Sequence, residues 1–166
     1  MINEKDRNAV RIIELPSCKM IWSGVCPGTA GTSENVPLRK FSEWWSAFDK
    51  LRKDRFYARD FMWYDGAAGG MAWGLAVADI PADTGGFEVI DFPGGLYAVA
   101  NYADGDAEGA YTSINKWVEE SDCFIPDGSR NHMWHCFGCC SEPIPIIMGY
   151  NQYDFYFPIL VKGEAK

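Results

Sequence analysis

The sequence predicts an α+β fold built as a duplicated βαββ unit. The expected architecture has pseudo-twofold symmetry, curved antiparallel sheet, one helix per unit and a ligand cleft at the centre. Three observations carry this expectation. Ile13, Glu14, Leu15 and Pro16 line up with Ile90, Asp91, Phe92 and Pro93 at an offset of 77, each block followed by two small residues and an apolar run. The helical stripe Leu38, Phe41, Trp44, Trp45 matches Tyr111, Ile114, Trp117, Val118 at an offset of 73, with a Trp on a Trp. The order strand–helix–strand–strand is then read twice. An accidental match of short apolar strings is the alternative, and the shared stripe and element order argue against it.

In the first copy a strand spans about Val10 to Trp22, with its kink at Pro16, since proline cannot donate to a ladder. "CPGTAGTSENVP" is a loop by its Gly, Pro, Ser and Thr content. Asn35 followed by Pro37 starts a helix. Leu38, Phe41, Trp44, Trp45 and Phe48 give it one apolar face, and Lys50, Arg52 and Lys53 suit its negative end. "YARDFMWYD" and "MAWGLAVADI" are strands joined by the turn "GAAGG". In the second copy a strand spans about Phe87 to Tyr102, kinked at Pro93-Gly94-Gly95, and Asp106 is placed to cap the next helix. After "SDCFIPDGSR" come a strand at about Asn131 to Phe137, a long connection and the strand "YDFYFPILV". The half-repeats run roughly 8–80 and 86–162 of a single domain, 1–166. One βαββ unit buries only one face of its sheet, so each half is expected to complete the other.

Of the 166 residues, 48% are hydrophobic, enough for a core, and 15% are aromatic. The formal charge of −8 excludes a broad nucleic-acid surface: the one basic cluster, "KLRKDR", contains an acid. The charged N-terminus "MINEKDRNAV" is no secretory signal, and the longest apolar stretch, "GGMAWGLAVA", is too short to cross a bilayer. Six Cys in that context read as reduced thiols in the cytoplasm.

The chemistry-bearing candidates are few. "HMWHCFGCC" gathers His132, His135, Cys136, Cys139 and Cys140, but a structural zinc needs a second ligand pair, and Cys18, Cys26 and Cys123 supply none. The reading is therefore no metal and no cofactor, with buried thiols acting as small hydrophobes. No Gly-x-Ser-x-Gly elbow and no phosphate loop occurs. A dyad of Cys136 or Cys139 with His135 stays open, although adjacent residues seldom serve as nucleophile and base. What remains is a set of rings on strands: Trp63 and Trp73 in the first copy, Trp134, His135, Phe137, Tyr153 and Tyr156 in the second. Each is a core residue or a cavity wall. Three tyrosines near Asp154 favour a polar-tipped pocket, and π faces suit a lipophilic cation.

Taken together, "ELPSCKMIWSGV", "FSEWWSAFDK", "RDFMWYD", "GGFEVIDFPGGLYAVA", "YTSINKWVEES" and "YDFYFPIL" resemble the effector-binding domain of AraC- and MerR-type bacterial transcription regulators, the GyrI-like, SOUL-related superfamily. The resemblance covers nearly the whole chain in order. It implies a pocket at the pseudo-twofold for small, often aromatic or cationic, effectors. Many members carry a pocket glutamate in an aromatic–Glu–x–Tyr pattern; "WHCF" is the counterpart, with His135 in place of the acid and Phe137 in place of the tyrosine, and Glu142 is the nearest acid. That exchange weakens the expectation of a cationic effector on this strand. The family's aromatic before the final proline is Tyr156.

No helix-turn-helix fits ahead of Val10, so a stand-alone member, or a domain whose DNA-binding partner lies outside this chain, is expected. The leading function is a small-molecule effector-binding domain touching neither nucleic acid nor membrane. Two alternatives are a hydrolase of reactive small molecules in the same pocket, with His135 as acid or base, and an acidic protein inhibitor of a topoisomerase.

Overall fold

The structure is a computed structural model and describes residues 10–28, 36–50, 60–135 and 143–163. Two compact units divide the chain: Ser17–Pro93, and the chain up to Pro16 joined with the chain from Gly94 onward. Both boundaries fall at the prolines where kinks are expected. The elements are β1 (Arg11–Leu15), β2 (Cys18–Trp22), β3 (Cys26–Pro27), α1 (Val36–Asp49), β4 (Asp60–Asp65), β5 (Gly70–Val77), β6 (Glu88–Phe92), β7 (Gly95–Ala103), α2 (Ala107–Glu119), β8 (Phe124–Pro126), β9 (Met133–His135), α3 (Ile144–Met148) and β10 (Gln152–Val161). All strand pairings within each unit are antiparallel, and the fold is α+β.

In the unit of residues 17–93 the sheet order is β4-β5-β2-β6, with β3 beside β5. The hairpin β4–β5 closes through Gly66–Gly69, where Asp65 Oδ1 accepts the amides of Ala67 and Ala68 at 3.0 and 2.9 Å. Gly69, at φ +68°, completes the turn in a conformation that a Cβ disfavours. This four-residue loop sets Trp63 opposite Ala72 and Met62 opposite Trp73. Directly opposed residues share a face, so Met71, Trp73, Leu75 and Val77 point one way and Gly70, Ala72, Gly74 and Ala76 the other. Helix α1, with proline at its second position as expected of a helix start, covers the first of these faces. Leu38 and Phe41 are fully buried there. Phe41 meets Trp73 at 5.5 Å and Phe87 edge-on at 5.0 Å, and Trp45 meets Trp73 at 6.1 Å. Trp44 stacks on Phe48 and lies where a Cβ on Gly85 would strike its indole. Arg52 and Lys53, expected to close this helix, lie outside the described residues.

In the other unit the order is β1-β7-β10-β9, with β8 alongside the end of β10. β1, from the first copy of the repeat, thus pairs with β7 of the second, Arg11 opposite Val99 through Leu15 opposite Gly95. Likewise β6, from the second copy, pairs with β2 of the first. The compact units are therefore not the sequence repeats: each holds one strand of the other copy. Helix α2 packs Ala110, Ile114 and Val118 onto Ala98, Ala100, Phe155, Phe157 and Ile159. Asp106 stands at its N-cap but makes no side-chain cap hydrogen bond, a departure from the expected cap. Trp117 stacks on Phe124.

The kink entering β7 is clamped from below. Arg130 donates to the carbonyls of Gly94 (2.9 Å), Leu96 (2.9 Å) and Ile159 (3.1 Å) and to Asp127 Oδ2 (2.6 Å). Its guanidinium also lies 4.6 Å from the Tyr97 ring centroid. The guanidinium occupies the space beside Gly95, where a Cβ would meet Nη1 at 2.5 Å. Burial disfavours charge on Asp127, yet hydrogen bonds from Ser129 and Arg130 outweigh it and hold the carboxyl below its usual range.

Candidate functional site

Each sheet has a face that its helix does not cover; most side chains there are buried, and Trp22 is half-buried. In the unit 17–93 that face carries the Gly70, Ala72, Gly74, Ala76 row along β5. Phe61 and Trp63 of β4 lie to one side of the row, and Met20 and Trp22 of β2 to the other. Bulky neighbours fill the space over this row of small residues: a Cβ on Gly74 would collide with Met20 Sδ and come within 3.2 Å of Trp63. Over this row the indoles of Trp22 and Trp63 stand nearly parallel, 5° apart in plane and 6.3 Å between centroids. Trp22 Nε1 donates to Glu88 Oε2 at 3.3 Å. Trp63 is buried, Trp22 half-buried and Glu88 exposed. Phe61 stacks on Phe92 farther along the same face.

The arrangement is a two-ring platform with one accessible indole, its orientation fixed by a carboxylate and its rear supported by a buried ring. Such a surface attracts planar aromatic groups through stacking and cations through the ring quadrupole, and a neighbouring carboxylate adds to the second preference.

In the other unit the face away from α2 carries Arg11, Ile13, Tyr97, Val99, Asn101, Asp154, Tyr156 and Met133. It is the more polar of the two. Tyr97 and Tyr156 meet edge to face at 5.8 Å. Burial pushes the Tyr97 phenol up, against the pull of Arg130. Asp154 is bridged to Arg11 at 2.8 Å.

The residues singled out from sequence divide between faces. Trp63 and Tyr156 lie on the helix-free faces. Trp73 lies on the opposite face from Trp63, beneath α1, with Nε1 donating to the buried Asp60 at 3.2 Å. Tyr153 lies on the helix side of its sheet, stacked on Tyr102 at 5.3 Å. The β9 backbone of Trp134 pairs opposite Phe155, His135 ends that strand, and the structure describes the side chains of neither. Phe137, Cys136, Cys139, Cys140 and Glu142 lie outside the described residues. Among the described residues no three His, Cys, Asp or Glu side chains converge as a metal site. His132 is half-buried against Phe157 at 4.5 Å and Tyr111 at 5.3 Å, and that burial pushes its pKa down. Trp22 and Glu88 are the residues that sequence reasoning passed over. The signal was alternation in "CKMIW", which puts Met20 and Trp22 on one face once the chain is broken at Pro16.

Comparison with solved structures places this architecture. Its fold is shared by solved structures of low sequence identity. It is similar to the C-terminal domain of EcmrR (TM-score 0.60, 11% identity, 91% of this chain and 96% of that one). It is similar also to a hydrolase from Listeria innocua (0.58, 12%, 92% of each). A third is SAV2435, solved bound to tetraphenylphosphonium (0.54, 17%, 93% and 94%). No protein-family model and no curated protein matches the chain.

Proposed function

We propose that this chain is a small-molecule effector-binding domain that takes aromatic, drug-like compounds, lipophilic cations included, on the Trp22–Trp63 platform. The observation that carries the reading is the near-parallel indole pair beside Glu88, on a sheet face that α1 leaves uncovered. The fold shared with SAV2435 and with the EcmrR domain supports it. A compound stacked on Trp22 gains dispersion from the ring, and a cationic one gains from Glu88 as well, at a distance where an exposed carboxylate is screened by salt. In this reading the bound state is passed to a DNA-binding partner outside the chain, and the chain itself makes no base contacts.

A thermal-shift titration with tetraphenylphosphonium tests the platform, because a ligand that binds only the folded chain raises its Tm. A saturable rise in the natural sequence, lost in Trp22→Ala, is expected. No rise at millimolar concentration, or the same rise in Trp22→Ala, overturns the reading.

A further inference from the structure

We propose that Asp154 anchors a second binding site, selective for an organic amidinium or ammonium, and that Arg11 occupies it in the free protein as a built-in stand-in for that ligand. The residues of this site all belong to the unit that joins the chain up to Pro16 with the chain from Gly94.

Asp154 stands on the helix-free face of β10 with its side chain only 10% exposed. A carboxylate has about four acceptor positions and a buried one needs them filled. Asp154 accepts one short bond, from Arg11 Nη2 at 2.8 Å, and one at the outer limit, from Asn101 Nδ2 at 3.5 Å. Asn101 Nδ2 is already committed to the Tyr153 carbonyl at 2.9 Å. Arg11 uses one nitrogen of a guanidinium that can offer two in parallel, and 56% of its side chain is exposed. Arg11 is also the first residue of β1, which among the described residues of its unit pairs only with β7. A buried, under-coordinated carboxylate is thus covered by a cation that can swing into solvent without moving the sheet. A free amidinium presenting two N–H groups fills the vacancy better than Arg11 does. Its uptake would release the side chain where the chain enters the sheet. A brace that only ties β1 across β7 to β10 is the competing account, and the two differ in the sign of what replacing Arg11 does.

The test is a titration of the full chain with benzamidinium, and with neutral benzamide, at low ionic strength, followed by NMR. Arg11→Gln should tighten benzamidinium by up to about fivefold, the scale of an exposed ion pair. Arg11→Glu should tighten it further, and Asp154→Asn should abolish the gain. Benzamide should bind none of them measurably. Equal or weaker benzamidinium binding in both Arg11 variants overturns the proposal, as does unchanged binding in a folded Asp154→Asn. If Asp154→Asn fails to fold, the order Arg11→Glu above Arg11→Gln above the natural sequence decides alone. A chain that ignores tetraphenylphosphonium but shows this order keeps Asp154 and loses the indole platform; the reverse pattern does the opposite.

Discussion

The two units share a plan and differ in what their helix-free faces are made of. In residues 17–93 that face is a row of Gly and Ala flanked by Trp, Met and Phe, and the carboxylate of Glu88 serves an indole N–H there. In the other unit the same face carries Tyr, Asn, Asp and Arg, with a nearly buried carboxylate at its centre. The covered faces differ in the same direction. Under α1 the core is aromatic, Phe41 against Trp73 and Phe87; under α2 it is largely aliphatic, Ile114 and Val118 on Ala98 and Ala100, with Phe155 and Phe157 beside them. Duplication has kept the backbone pattern and let the side chains specialise, one half toward π surface and the other toward charge.

Each unit has one residue whose loss should expose that specialisation. Phe41→Ala removes the ring at the hub of the first core and should cost about 3–5 kcal/mol by chemical denaturation, with little dependence on salt. Arg130→Met should cost a similar amount, about 3–5 kcal/mol, because it strands Asp127 and frees two carbonyls at the β7 kink and that of Ile159 on β10. Its penalty should shrink as pH falls. Asp127 has a lowered folded pKa, so its stabilisation is full above the unfolded value near 3.8 and is lost as pH drops through the folded one. A Phe41 loss that tracks pH, or an Arg130 loss that does not, would erase the contrast between an aromatic and an ionic keystone.

Smaller effects sharpen it. Gly74→Val should cost about 1–3 kcal/mol by overpacking against Met20 and Trp63, and should weaken the near-ultraviolet circular dichroism of the coupled indoles. Among the described residues the other unit has no stacked pair of indoles. His132 supplies a pH response of its own. Its folded pKa lies below the ordinary 6.5, so the unfolded chain takes up the proton first. Stability should therefore fall as pH drops from 6.5 to the folded value, and His132→Phe should flatten the curve in that window. At the bottom of the scale, Lys19→Ala breaks an exposed bridge to Asp91 at 2.5 Å and should change stability by less than about 1 kcal/mol.

The sequence was legible where a short pattern decides the outcome. Pro16 and Pro93 break strands where expected, the two apolar stripes lie on the two long helices, and alternation puts Asp154 and Tyr156 opposite Tyr153, Phe155 and Phe157 on β10. It was silent where register or partner choice decides. Nothing local says that β1 joins β7 of the other copy, since a repeat is equally consistent with either pairing. Trp63 and Trp73 looked equivalent in sequence, yet the length of the Gly66–Gly69 loop sets them on opposite faces, and a one-residue slip would reverse both. The short strands β3 and β8 are too brief to alternate. Glu88 escaped notice because its role exists only once β6 lies beside β2 and brings it opposite Trp22.

The most direct measurement is the indole N–H resonance of Trp22, assigned by its disappearance in Trp22→Phe and followed by NMR during titration with tetraphenylphosphonium. A saturable shift at Trp22, larger than at Trp73 beneath α1, is the expected result. Shifts confined to other indoles, or none at saturation, would contradict the assignment of the uncovered Trp22–Trp63 face as the ligand platform.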